Sequence, residues 1–290
     1  MLARFLVAWS FVIGACAAGC AALAGINDGK DGTSSSGEAD LPVRDAADGG
    51  GSEADTGAPG ACKPGNAEDS PSLIHASKVT VEAPVSVNGD PAEWACVDRL
   101  DFSVGGRVIG PAAGKDIAEI AMQWDEGHLY LLARVTTDSP GGVATGNQIF
   151  SNDSVQLFLA GPDPQVGVLA RLSDHQIVFD YQGFVVDYRG GIARAGTNGI
   201  TSAISPFNSQ NGVLTFVVEA AIDAAIVGRP GGFTKGERVR VNFQVNESAP
   251  SGYRVWFWAP EVCVGFTGCN TGGVSLPYCD PRCTGEVELR

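Results

Sequence analysis

The segment Asn152–Leu159, N-D-S-V-Q-L-F-L, constrains the fold more than any other stretch of the chain. Val155, Leu157 and Leu159 fall on one side of it and Ser154, Gln156 and Phe158 on the other, a period of two that an extended strand satisfies and a helix does not. Trp124–Val135, W-D-E-G-H-L-Y-L-L-A-R-V, reads as the end of a strand, a Glu-Gly turn and a second strand, hence a hairpin. Val87–Trp94, V-N-G-D-P-A-E-W, is a corner punctuated by Gly and Pro that ends in a large aromatic. Further strands are expected at Lys78–Ala83, Asp116–Gln123, Leu129–Thr136, Ser154–Ala160, Gln176–Tyr181, Phe184–Tyr188, Thr201–Ser205, Val213–Ala221, Arg238–Asn246, Arg254–Trp258 and Glu286–Arg290. Val239, Val241, Phe243 and Val245 give the clearest half-buried alternation. Tyr181-Gln182-Gly183-Phe184 is a hairpin turn, and Asp90–Ala95 and Asp223–Val227 are short helical turns. With 39 glycines and no long stretch of 3.6-residue period, the chain is expected to be all-β, an antiparallel β-sandwich.

The N-terminal part has a different character. Arg4 precedes an apolar run, Phe5–Ala18, too short to span a membrane comfortably, so the first twenty residues read as an export leader. Small residues lead into cysteine at A-A-G-C, Ala17–Cys20, which resembles a bacterial lipid-attachment site; I-G-A-C at Ile13–Cys16 is the competing one. Cys20 is favoured because its use leaves an even set for pairing: Cys62, Cys96, Cys263, Cys269, Cys279 and Cys283. An ordinary secretory leader that discards both cysteines is the alternative. Residues 21–70 hold ten acids and three bases and, from Asn27 to Ser70, scarcely any aromatic or branched apolar residue, so this linker is expected to be disordered. A tether of about 45 residues spans on the order of 35–40 Å, enough to lift a domain at 71–290 off a membrane. The net charge of −14 argues against nucleic acid as a partner.

In order and spacing, the three strings resemble those of family 9 carbohydrate-binding modules, over roughly Val79 to Arg290. The resemblance implies noncatalytic capture of a saccharide end, with two aromatics clamping a sugar ring. The early clamp position falls on Phe150 and the late one on the Trp256/Trp258 region, Trp258 preferred. Trp256 and Trp258 share one strand face and Phe257 the other. The glutamate that such modules place in the D-S-V-E-type strand falls on Gln156, and Gln176 is retained in the strand that follows. Phe for Trp keeps a stacking face but removes area, and Gln for Glu removes a charge-assisted hydrogen bond. Trp94 and Trp124 lie inside the strings that shape the fold and are expected in the core. The resemblance also allows a structural calcium, for which Asp138 and Asp153 are the candidates, with Asp90 as an outside one. The competing role for Asp138 and Asp153 is to bond backbone amides at turns.

The late cysteines lack the paired C-x-x-C knuckles of zinc sites, and disulfides suit an exported chain better. One guess at connectivity is Cys62–Cys96, Cys269–Cys279 and Cys263–Cys283. The three histidines, His75, His128 and His175, are scattered, with no H-E-x-x-H and no nucleophile elbow. The expectation is therefore a lipid-anchored saccharide-binding protein of the cell envelope, held at the outer membrane, and not an enzyme. The alternatives are an envelope interaction module that kept the sandwich without sugar binding, and an accessory to a separate glycoside hydrolase.

Overall fold

A computed structural model of the chain describes residues 64–290 apart from 71, 82, 102–106, 110–116, 138–140, 143, 163–173, 190–191, 195–197, 211–212, 250–251, 259–269, 272–273 and 276–283. Lys63–Arg290 forms a compact unit. Its strands run β1 (Glu68–Ser70), β2 (Leu73–Lys78), β3 (Arg99–Asp101), β4 (Arg107–Ile109), β5 (Ile117–Trp124), β6 (His128–Thr137), β7 (Ser154–Ala160), β8 (His175–Asp180) and β9 (Val185–Arg189). They continue as β10 (Ile192–Arg194), β11 (Ile200–Gln210), β12 (Val213–Asp223), β13 (Arg238–Ala249), β14 (Gly252–Phe257), β15 (Asn270–Thr271), β16 (Val274–Ser275) and β17 (Gly285–Leu289). The only helical pieces among the described residues are two 3-10 segments, Pro91–Trp94 and Gly146–Ser151.

One layer carries β5, β6, β12 and β11, antiparallel throughout, with β3 on β5. The other runs β10-β9-β8-β7-β13-β17, with β14 also on β13 and β4 on β14. β2 belongs to both. It runs parallel to β17 through Leu73–Ala76 and parallel to β5 at Ser77–Lys78. The all-β sandwich expected from the sequence is thus one curled, mixed sheet, antiparallel apart from these two ladders among the described pairings. The strand expected at Lys78–Ala83 also lies earlier, at Leu73–Lys78. Ile74 and Ala76 are the residues that reach the core, whereas Val81 is 94% exposed. Alternation of Val79 and Val81 alone could not reveal that.

Between the layers lies a single large apolar cluster. It takes Ile120, Met122, Trp124, Leu129, Leu131, Phe216 and Val218 from one side, and Val155, Leu157, Leu159, Ile177, Phe179, Val239, Val241, Phe243, Val245 and Val287 from the other. The alternation read at Val155/Leu157/Leu159 and along β13 is the inner face of this core. Trp124 and Leu129 are partners in the β5–β6 ladder, and the turn between them is held by Asp125, whose Oδ1 accepts from Gly127 N and His128 N, both at 2.7 Å.

A second, smaller cluster sits on the outer face of the β5–β6–β12 layer, where the Val87–Trp94 corner folds over it. Trp94 packs there with Val97, Ala121, Tyr130, Leu132, Val217 and Ala221. Asp90 caps the 3-10 turn through Ala92 N at 3.0 Å, with Pro91 at its first position. The corner is fixed by Glu219 on β12, which is fully buried. Its Oε1 accepts from Trp94 Nε1 at 2.9 Å, and its Oε2 accepts from Asn88 N at 2.9 Å and Gly89 N at 2.7 Å. Gly89 takes φ +84°, so the close approach of its N–H to the carboxylate uses a backbone state that favours glycine.

Cys96, just beyond this corner, is disulfide-bonded. Cys16, Cys20, Cys62, Cys263, Cys269, Cys279, Cys283 and Asp138 lie outside the described residues.

Candidate functional site

On the face of β7 turned away from the core, Ser154, Gln156 and Phe158 are in register with Asn246, Gln244 and Asn242 of β13. On the other side of β7 the same three residues are in register with Asp180, Val178 and Gln176 of β8, and Gln176 with Tyr188 of β9. Five amide side chains therefore line one band across three adjacent strands. Side chains paired across a ladder stand about 4.5–5.5 Å apart at Cβ, so each amide can reach its neighbour. Gln176 Nε2 donates to Gln156 Oε1 at 2.7 Å, and Gln244 Nε2 to Asn246 Oδ1 at 2.5 Å. Asn246 Nδ2 in turn donates to Ser154 Oγ at 2.9 Å and to Phe150 O at 2.8 Å.

This band is not an ordinary solvated strand face. Ser154, Gln156, Phe158, Asn242, Gln244 and Asn246 are all buried, so β7 is closed on both sides although only one side is apolar. Gln244 Oε1 lies buried with no donor among the described residues. A buried acceptor left unpaired costs about 1–3 kcal/mol. Across the ladder Gln156 stands in register with Gln244, and its Oε1 accepts from Gln176 Nε2. A hydroxyl group brought to Gln244 Oε1 supplies the donor it lacks.

The sequence-derived site residues divide. Gln156 and Gln176 come together in this band. Phe150 sits half-buried at the rim, in the 3-10 segment, with its carbonyl held by Asn246. Trp258 requires a correction: it is 6% exposed and lies in the core, its ring 5.6 Å from that of Phe243. A Cβ on Gly285 would come within 2.7 Å of Trp258 Cη2 and Cζ3, so the indole packs directly against that glycine. The β14 strand ends at Phe257, one residue before Trp258, and Trp258 N donates to Phe243 O at 3.1 Å, which draws the ring inward. Phe150 and Trp258 therefore do not face each other as a clamp. Trp256 is in register with Val245 and Val108, and its side chain lies outside the described ones.

Asp153 is buried, with Oδ2 accepting from Gly141 N at 2.9 Å and Oδ1 from Ser248 N at 2.7 Å, the turn-bonding role. Burial, with the neighbouring Glu247 charge, pushes its carboxyl up to about 6 against these two bonds. Among the described residues no group of three or more His, Cys, Asp or Glu side chains is placed to hold a metal ion. The expected calcium therefore gains no ligand set here, and no role is derived for it.

Asn242, Gln244 and Asn246 were not singled out in the sequence. Their signal was present as the complement of the apolar set Val241, Phe243 and Val245. An amide at every alternate position of a central strand is not needed for the core.

No protein-family model and no curated protein matches the chain. Solved structures do. A family 9 carbohydrate-binding module from Caldicellulosiruptor kristjanssonii, in complexes with cellotriose and with glucose, superposes with a TM-score of 0.52 at 20% identity. The alignment covers 75% of this chain and 93% and 95% of those two chains. The fold is that of family 9 carbohydrate-binding modules. A Bacteroides uniformis protein of proposed carbohydrate-binding role aligns over 76% of this chain and all of its own, with a TM-score of 0.52 and 14% identity. On the family 9 fold seen here, the amide band occupies the outer face of the β9–β8–β7–β13 layer, and the Glu219-pinned corner lies on the outer face of the other layer.

Proposed function

We propose that this protein binds a saccharide noncatalytically through the amide band of β7, β8 and β13. The observation that carries the reading is the buried Gln244 Oε1 without a donor among the described residues, set in register with Gln156 in a band of amides. Amides paired in this way suit the hydroxyls of a neutral sugar, and the solved structures of the same fold hold cellotriose and glucose. Phe150 at the rim supplies an aromatic edge.

In the same reading, the chain is anchored in the envelope through a lipid on Cys20, and the linker at 21–70 carries the domain away from the membrane to capture a chain end. The leader composition and the even cysteine set support this. Lipid labelling lost in Cys20→Ser and kept in Cys16→Ser is the expected result.

The binding test is calorimetry of the full chain against glucose, cellotriose and a panel of neutral oligosaccharides, repeated on Gln244→Leu and Gln156→Leu. At least a tenfold loss of affinity in each variant, with the fold retained, is expected. The burial of Trp258 favours a second reading, an interaction module without sugar binding. A wild-type chain that binds no saccharide of the panel would establish that reading instead.

A further inference from the structure

Among the described residues two large apolar side chains are well exposed, Val81 and Phe184, and Phe184 is 48% exposed. Phe184 closes the β8–β9 hairpin. Its N–H donates to Asp180 Oδ1 at 2.8 Å, Asp180 N donates to Phe184 O at 3.0 Å, and Gln182 N also donates to Asp180 Oδ1 at 3.0 Å. Asp180 is itself fully buried and accepts from Asn152 Nδ2 at 2.9 Å. Asn152 is held in turn by Ala144 through its N–H and C=O, both at 2.9 Å, next to the 3-10 segment that carries Phe150. The hairpin tip is therefore braced from three sides. Gly183 at φ +93° completes the turn and leaves open space around its Cβ position.

The direction of the ring follows from the register. Val185 is paired with Phe179 and packs on the core, so alternation turns Phe184 to the opposite face, that of Gln156 and Gln176. The core gains nothing from an aromatic there, because Phe179 and Val185 already fill the inner side. With strands about 4.8 Å apart and residues about 3.4 Å along them, Phe184 and Gln156 are separated by about 12 Å. One sugar ring cannot touch both, and a chain of two or three can.

Resting on the saccharide reading above, we propose that Phe184 is a stacking platform for a second or third sugar residue, so that the site recognises an oligosaccharide and not a single ring. The amide band takes the hydroxyls of one residue, and the exposed Phe184 face receives the apolar C–H face of a residue further along. The braced turn presents the ring at little entropic cost.

Calorimetry of the full chain with glucose and with cellotriose tests this, with xylose and xylotriose as a second matched pair. The wild type should prefer the trisaccharide of a pair to its monosaccharide. In Phe184→Ala that preference should fall three- to tenfold, and in Phe184→Trp it should persist. The Phe184→Trp chain should also change its tryptophan emission with the trisaccharide more than with the monosaccharide. A preference for the trisaccharide that is unchanged in Phe184→Ala, or no preference in the wild type, overturns the platform and leaves saccharide binding intact. Binding of none of the four sugars overturns the saccharide reading and the platform with it.

Discussion

Replacing Glu219 by Gln tests the account of the corner that the sequence marks so plainly. The carboxylate accepts three N–H groups, from Trp94, Asn88 and Gly89. A glutamine has one acceptor oxygen. Turned toward Asn88 and Gly89, it keeps two bonds and sets its NH2 against the Trp94 indole N–H. Turned the other way, it keeps one bond and leaves two donors facing an NH2. The first orientation is better, and it leaves one buried N–H unpaired, at about 1–3 kcal/mol. Loss of charge-assisted bonding adds to this, and release from burying a charge offsets part of it. Glu219→Gln should therefore destabilise by about 1–3 kcal/mol in urea unfolding of the full chain, at unchanged m-value.

The decisive measurement is a double-mutant cycle with Trp94→Phe, which removes the indole N–H. In that background Glu219→Gln leaves no indole donor unpaired, and its cost should fall to a few tenths of a kcal/mol. An equal cost of Glu219→Gln in both backgrounds would refute the hub. Burial holds the Glu219 carboxyl above its ordinary value despite its three bonds. The sign follows: its contribution to stability is greatest below the unfolded glutamate pKa and declines as pH rises through the folded one. That pH dependence should be absent in Glu219→Gln.

Three further outcomes are expected. For Asp153, a carboxyl raised from 3.8 to about 6 makes the folded state bind the proton more tightly, a contribution of at most about 3 kcal/mol that is full below pH 4 and gone above pH 6; the stability difference between wild type and Asp153→Asn should shrink by up to that amount from pH 4 to pH 7. Gly285→Ala drives a methyl into the Trp258 indole, against which there is no slack, and should cost about 1–3 kcal/mol by thermal or urea unfolding, with Trp258→Phe recovering part of it. Cys62, Cys96, Cys263, Cys269, Cys279 and Cys283 should all be oxidised, each bridge adding about 2–4 kcal/mol. Thiol titration of the denatured, unreduced chain should accordingly find fewer than two free thiols.

How far the sequence speaks depends on which physical signal a residue carries. The hairpin at Trp124–Val135, the corner at Asp90–Trp94 and the inner face of β7 were legible because period, turn chemistry and capping are local. Glu219 was not singled out, although a lone acid inside V-V-E-A-A-I is a visible anomaly. Its three partners lie some 125 to 131 positions away, and nothing local names them. Trp258 was misjudged for the reverse reason. Its place in a motif said aromatic, while the direction of the ring is decided by where β14 ends and by the space above Gly285. For the amide band, Gln156 and Gln176 came from the resemblance, and the β13 half became visible only once β13 was known to lie beside β7.

The position of β2 has a consequence for how the chain is made. β2 completes both layers, but one of its neighbours, β17, is synthesised roughly two hundred residues later, the kind of long-range pairing that slows folding. Until β17 leaves the ribosome, the curled sheet has an open seam. Lys78 N also waits for Arg290 O, and Arg290 N for Ala76 O, at 3.1 and 2.9 Å. A nascent chain of this design stays unlatched while everything from β2 to β16 is being made. That makes the short β17 the lock of the curled sheet, closing the seam only after β2 to β16 have been made.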